Sequence, residues 1–210
     1  MKTSYFLNFV LAAALLYVGV LYIEKLGAEP ENASATGNCG VEMIMTRTSV
    51  RSYDSTRTVS AEQVDTLMKA AMAAPTAMNK QPWQFVVIDD RAVLDTIAAR
   101  FPNISMAAGA SIAVAVCGDM SLAIEGDGQP YWIQDCSAAT ENLLLAAHAM
   151  GLGAVWCGIY PIEERVKDMS ALLTLPENVI PLALVPVGYP SGSPQSKDKF
   201  KAERVHQNQF

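Results

Sequence analysis

Arg47, Ser49 and Arg51 stand at alternate positions, with Tyr53 two residues further on. In an extended or turn conformation alternate side chains share one face, so two guanidinium groups and a hydroxyl would point the same way. That set suits a phosphate, which takes bidentate contacts from arginine and one donor from serine. An ordinary solvated basic turn has the same composition, and this segment alone does not separate the two. A second group of donors runs from Pro75, Thr76 and Ala77 through Asn79 to Gln81, Pro82 and Trp83. Its amides and hydroxyl could read the polar edge of a heterocycle; proline and asparagine equally make turns. The stretch Trp156, Cys157, Gly158, Ile159, Tyr160, Pro161 is a third candidate. Its glycine suits backbone contact with a flat ligand, and also any tight turn. Lys197 and Lys199 supply two more cations, to neutralise phosphate or to solvate a surface.

Other chemistries lack their residues. Cys39, Cys117, Cys136 and Cys157 form no C-x-x-C pair, and His148 and His206 are the only histidines, which excludes a zinc site of the usual spacing. His148 falls within an apolar helical run and reads as a core histidine. Gly151-Leu-Gly153 is too short for a G-x-G-x-x-G dinucleotide fingerprint. No Ser/His/Asp constellation is present, so neither a catalytic side chain nor a metal is assigned. A net charge of -6 and a pI near 4.9 argue against a nucleic-acid partner, which needs a basic surface to displace counterions. With 51% hydrophobic and 17% charged residues, the chain is neither disordered nor a coiled coil.

The elements that must carry these residues can be read from local signals. Ser60 and Gln63 form a capping box, and Val64, Leu67, Met68, Ala71 and Met72 continue at helical spacing until Pro75. Phe85–Ile88 is an apolar strand, and Asp89-Asp90 caps a helix over Ala92–Arg100. Ser111–Cys117 reads as a fully buried strand. Gln134–Met150 is a helix apolar on nearly every face, with Gly151 as its C-terminal stop; such a helix is buried on all sides in a large core or against a partner chain. Ala154–Cys157 and Ile180–Val187 are further strands, with a short helix over Ile162–Ser170 between them. Interspersed strands and helices predict a layered α/β or α+β domain.

The N-terminus is a separate object. From Tyr5 to Ile23 the chain is apolar except for Asn8, long enough as a helix to span about 30 Å of hydrocarbon. Lys2 precedes it and Glu24, Lys25, Glu29 and Glu31 follow, which by the positive-inside rule carries the domain across the membrane. A signal peptide cut after Ala33-Ser34-Ala35, releasing an exported soluble domain, is the rival reading. The division is therefore 1–26 anchor or signal segment, 27–40 small, polar linker, and 41–210 folded domain.

Together these motifs resemble the FMN-dependent nitroreductase family: R-x-S-x-R-x-Y, then A-P-T-x-x-N-x-Q-P-W-x-F, an Ala/Leu-rich helix leading into G-L-G-x-V-W-x-G-x-Y-P, and a late P-V-G-Y-P followed by K-x-K. The resemblance covers essentially all of Val41–Phe210. It implies an α+β fold with a central, mainly antiparallel sheet wrapped by helices, and an intertwined homodimer with two FMN molecules at its interface. It implies that Arg47, Ser49 and Arg51 grip the FMN phosphate, helped by Lys197 and Lys199. Pro75, Thr76, Ala77 and Asn79 would contact the flavin of the partner subunit, and Gly158 and Ile159 would turn backbone N–H groups toward its ring. Three departures stand out: Thr48 where many members have a second arginine, Lys199 in place of a common arginine, and Cys157 where the best-studied members carry an acid.

The implied activity is NAD(P)H-dependent reduction of nitroaromatic, quinone or similar small aromatic acceptors by ping-pong hydride transfer. The resemblance also admits a reductive dehalogenase-like relative, a flavin-fragmenting relative, and a tethered flavin-binding module without turnover.

Overall fold

The computed structural model describes residues 33–210. The expected membrane segment at Tyr5–Ile23 and the first part of the expected linker lie outside the described residues; among those described, no helix is long and apolar enough to cross a membrane. Residues 33–40, expected as linker, instead belong to helix α1 (Ala33–Thr46). Helix formers at its C-terminal half, Glu42, Met43 and Met45, sustain a helix that the composition of 27–40 did not announce. Met43–Phe210 form one compact unit, which holds every candidate site residue.

Local signals start and stop the helices largely as expected. At α2 (Ala61–Met72) the Ser60 hydroxyl accepts from the Gln63 N–H (3.2 Å), and Gln63 Oε1 accepts from the Ser60 N–H (3.0 Å). The Asp90 carboxylate accepts from the N–H groups of Ala92 and Val93 and opens α3 (Arg91–Arg100). Helix α4 spans Tyr131–Ala149 and stops before Gly151, whose φ of 70° is the left-handed conformation glycine tolerates. It begins earlier than the expected Gln134, because Pro130, with φ −61°, already sets a helical entry. Helix α5 (Glu163–Leu172) has Glu163 and Glu164 in its first turn, where the exposed N–H groups favour negative charge.

Among the described residues five strands form one sheet: β1 (Trp83–Ile88), β2 (Ile112–Asp119), β3 (Gly153–Ala154), β4 (Cys157–Gly158) and β5 (Val179–Gly188). The order is β1-β2-β5-β3, with β4 also on β5, and every pairing is antiparallel. The expected strand at Ala154–Cys157 is two short strands flanking Val155 and Trp156.

Both faces of the sheet are covered. On one, Val114 and Val116 of β2 and Val185 and Val187 of β5 pack with Leu67 and Ala71 of α2 and with Trp132, Ala139 and Leu143 of α4. On the other, Ala113, Ala115, Cys117 and Leu184 pack with Leu94 and Ile97 of α3 and Met169 of α5. Alternate residues of β2 thus serve opposite layers, which is why the strand reads as an unbroken apolar run. Within this chain α4 buries one stripe, including Trp132, Asp135, Ala139, Leu143 and Ala147, while Tyr131 is 47% exposed. The expectation of burial on all sides is therefore not met by a single chain.

Gly153 brings β3 against Val50, at the centre of the Arg47–Tyr53 segment. A Cβ there would meet Val50 Cγ1 at 2.6 Å and its Cβ at 2.7 Å. Because Val50 Cβ is among the colliding atoms, no rotamer of valine relieves the clash. Gly153→Ala is expected to cost about 1–3 kcal/mol through overpacking, read as a fall of several degrees in Tm; an unchanged Tm would refute the close approach.

Candidate functional site

The Arg47–Tyr53 segment owes its geometry to a few backbone ties. The Val50 N–H donates to Ala154 O (3.0 Å) and the Asp54 N–H to Tyr189 O (2.8 Å). The Tyr53 hydroxyl turns inward and donates to Val50 O (2.8 Å) and Pro186 O (3.1 Å). Burial holds this phenol well above its usual pKa, so it remains a donor. With Val50 and Tyr53 buried, Ser49 and Arg51 are left on the outside.

They open onto a cavity of about 420 Å³ whose lining includes Arg47, Thr48, Ser49, Arg51, Lys197 and Lys199. Four cations and no carboxylate line it, which makes its local potential positive. Arg47 is not wholly committed to it: its Nε lies 3.1 Å from Glu141 Oε1 on α4. A guanidinium held through one N–H keeps its other donors, so the pair fixes Arg47 without exhausting it. An adjoining cavity of about 520 Å³ shares Arg47, Lys197 and Lys199 and adds the apolar side chains of Ile44, Met45 and Phe200.

The loop after α2 lies apart. Pro75, Thr76 and Ala77 line a cavity of about 380 Å³ together with Tyr131, Gln134 and Asp135 of α4. It shares no residue with the cationic cavity, and Asn79 lines neither. A single chain thus brings Arg47, Ser49, Arg51, Lys197 and Lys199 together but does not join them to the Pro75–Asn79 group.

Gly158 and Ile159 differ from each other. A Cβ added at Gly158 would have nothing within 4 Å, so the backbone there faces open space. Its carbonyl accepts from Arg165 Nη1 at 3.2 Å. Ile159 does not fit the expected role: its N–H donates to Leu182 O (3.0 Å) and its side chain is fully buried. The β5 ladder takes the donor that the resemblance assigned to a ligand. His148 is not a core histidine either; it is half-buried, and its Nε2 lies 2.9 Å from Thr46 Oγ1. Two carboxylates escaped the sequence reading, Glu141 beside Arg47 and Asp135 beside Ala77. The available signal was the same for both: an acidic residue inside an otherwise apolar helix.

Residues 44–104 and 100–189 match the family model described as the nitroreductase family. A relative from Methanothermobacter thermautotrophicus, provisionally named an NADH dehydrogenase/NAD(P)H nitroreductase, is 44% identical over 167 residues, 79% of this chain and 85% of its own. A solved structure of a protein provisionally given the same name, from Bacteroides thetaiotaomicron, has a TM-score of 0.77 at 42% identity, covering 82% of this chain and 98% of that one. A provisionally named nitroreductase from Desulfovibrio desulfuricans, solved in complex with FMN, has a TM-score of 0.68 at 30% identity, over 81% of this chain and 97% of its own.

The thiol at position 157 is buried within the same region. Burial pushes its pKa up to about 11, with Arg51 pulling the other way. Cys117 and Cys136 are pushed up to about 12, again mainly by burial, while Cys39 is exposed. A thiol raised in this way stays protonated at neutral pH and is a poor nucleophile. At pH 8 a thiol-specific chromogenic reagent should therefore react rapidly with one cysteine per native chain, Cys39, and with the other three only after unfolding. Rapid reaction of Cys157 in the native protein would contradict its burial.

Proposed function

The chain belongs to the nitroreductase family, and from that premise we propose that it is an FMN-dependent oxidoreductase. It takes hydride from NAD(P)H and reduces nitroaromatic, quinone or similar acceptors in alternating half-reactions. The observation that carries this reading is the cavity of about 420 Å³ in which Arg47, Ser49, Arg51, Lys197 and Lys199 converge with no carboxylate among them. Those residues fit a phosphate monoester: Arg51 and Arg47 give directed N–H donors, Ser49 a hydroxyl, and the two lysines further positive charge. Gly158 fits the ring end, since open space beside its backbone admits a flat heterocycle without a side chain in the way. Bound FMN supplies the hydride-accepting and hydride-donating chemistry. The protein's part is to bind and orient it, which accounts for a site that needs no nucleophile or general acid among its side chains.

A homodimer completes this reading. Two half-sites that share no residue are what a single subunit shows if the Pro75–Asn79 group serves the flavin of a second copy. The apolar side chains of Ile44, Met45 and Phe200, left 63%, 71% and 72% exposed beside the cationic cavity, and the half-exposed side of α4 supply surface for such an interface. The run at Tyr5–Ile23 supports a single N-terminal membrane anchor for the domain.

The purified protein should be yellow with non-covalent FMN and should oxidise NAD(P)H when a nitroarene or quinone is supplied; folded protein that takes up no FMN would overturn the reading. Arg47→Ala and Arg51→Ala should each weaken FMN binding by about ten- to a hundredfold and spare riboflavin, which has no phosphate. Fluorescence titration with the two flavins checks this, and an equal loss for both would assign the arginines to the fold. Residues 41–210 alone should sediment as a dimer at micromolar concentration, and the full chain should pellet with membranes. A monomer that still holds FMN would refute the shared site, and a full chain free of membranes would refute the anchor.

A further inference from the structure

We propose that Asp135 is a positioning residue for the flavin: its carboxylate holds the Pro75–Gln81 loop in the one conformation that can meet the ring. The proposal rests on the flavin reading above and extends it to a residue that neither the family motifs nor the cationic cavity includes.

Asp135 is the one buried charged side chain among the described residues, 5% exposed on the apolar stripe of α4 beside Cys136 and Ala139. Its carboxylate reaches the cavity that α4 shares with Pro75, Thr76 and Ala77, at a position where an apolar residue would otherwise continue the stripe. Its task is visible in one bond: Asp135 Oδ1 accepts from the Ala77 N–H at 2.8 Å.

The loop that receives this bond would not hold its shape unaided. Met78, Asn79 and Gln81 have φ of 51°, 55° and 49°, three non-glycine residues in the left-handed region within four positions. Such residues persist only where the surroundings over-determine them. Packing does not do so here, since no residue from 75 to 81 is buried and a cavity of about 380 Å³ lies between the loop and α4. The remaining hydrogen bonds close on the loop itself. Asn79 N–H donates to Thr76 O, Lys80 N–H to Ala77 O, Gln81 N–H to Thr76 Oγ1, and Gln81 Nε2 to Asn79 Oδ1. The loop is thus an internally tied knot, fastened to the body of the domain by its two chain ends and the Asp135–Ala77 bond. Loss of that bond frees the knot to move as a unit relative to α4, carrying Thr76, Ala77 and Asn79 with it.

This role separates from phosphate binding by experiment. In the full chain, Asp135→Ala should weaken FMN and riboflavin alike, by about tenfold or more, and shift the visible absorption band of the bound flavin. Asp135→Asn keeps an oxygen acceptor in the same place and should restore affinity to within a few-fold of the original. Ala77→Pro deletes the donor and leaves the acceptor. Position 77 is the first residue of a helical turn, where proline fits, and Thr76, at φ −135° and ψ 151°, already has the conformation that proline requires before it. Ala77→Pro should therefore reproduce Asp135→Ala, and it decides the matter if that variant does not fold. Unchanged affinity and spectrum in Asp135→Ala or Ala77→Pro would overturn the proposal. So would a loss in Asp135→Asn equal to that in Asp135→Ala. A parent protein that takes up neither flavin overturns the underlying flavin reading before any variant is compared.

Discussion

Strand β5 is the constraint on which the rest of the structure depends. It carries the ladders of β2, β3 and β4, and its residues from Pro181 onward are buried. The candidate segments are tied to it or follow from it. Tyr53 reaches Pro186 O and the Asp54 N–H reaches Tyr189 O, which places the basic segment; the Ile159 N–H reaches Leu182 O, which places Gly158; the chain leaving β5 runs on to Lys197 and Lys199. A buried strand with paired neighbours is among the last parts of a fold to open, so side chains referred to it keep their relative positions. Two prolines sit inside it, where a ladder ordinarily rejects them. Pro181 pairs with Cys117 at the register shift of the β2–β5 ladder, and the Pro186 carbonyl is one that Tyr53 uses.

Much of the fold was legible because its signals are local. The Ser60–Gln63 box, the Asp90 cap and the Gly151 stop each act within one turn of a helix, and each is present in the structure. The apolar run of β2 was legible for a related reason: a strand covered on both faces needs no partner to reveal itself. What escaped depends on distant residues. Two-residue strands such as β3 and β4 carry no periodicity, and they exist because the edge of β5 offers them hydrogen bonds. Helix α4 reads as apolar all round, yet which side is buried is decided by α2 and the sheet.

The candidate site divides along the same line. Arg47, Ser49 and Arg51 could be grouped from sequence because alternation in an extended segment is a local rule, and the buried Val50 between them enforces it. The ties that give these residues their settings are not local: Arg47 to Glu141, Ala77 to Asp135, Ile159 to Leu182. Each joins segments more than twenty residues apart, and each changes what the named residue can do. Arg47 gains a fixed orientation, Ala77 an anchor, and Ile159 loses the N–H that motif likeness had reserved for a ligand. Motif likeness named these residues and said nothing of the hydrogen bonds that hold them.

The same bonds also order the cations around the cavity of about 420 Å³. Lys197 and Lys199 are exposed on a stretch without regular structure, so their attraction for an anion is reduced by water and falls off within a Debye length of about 8–10 Å at ordinary salt. Point charges on flexible stems raise the local concentration of an anion without fixing its orientation. Arg47, its side chain only 15% exposed and steadied by Glu141, and Ser49, set by the buried Val50 beside it, are held in place before any ligand arrives. The basic segment is thus pinned by the fold, whereas Lys197 and Lys199 are not. Neither Thr48 nor Lys199 takes part in the ties at Val50 and Tyr53 that set the path of this segment.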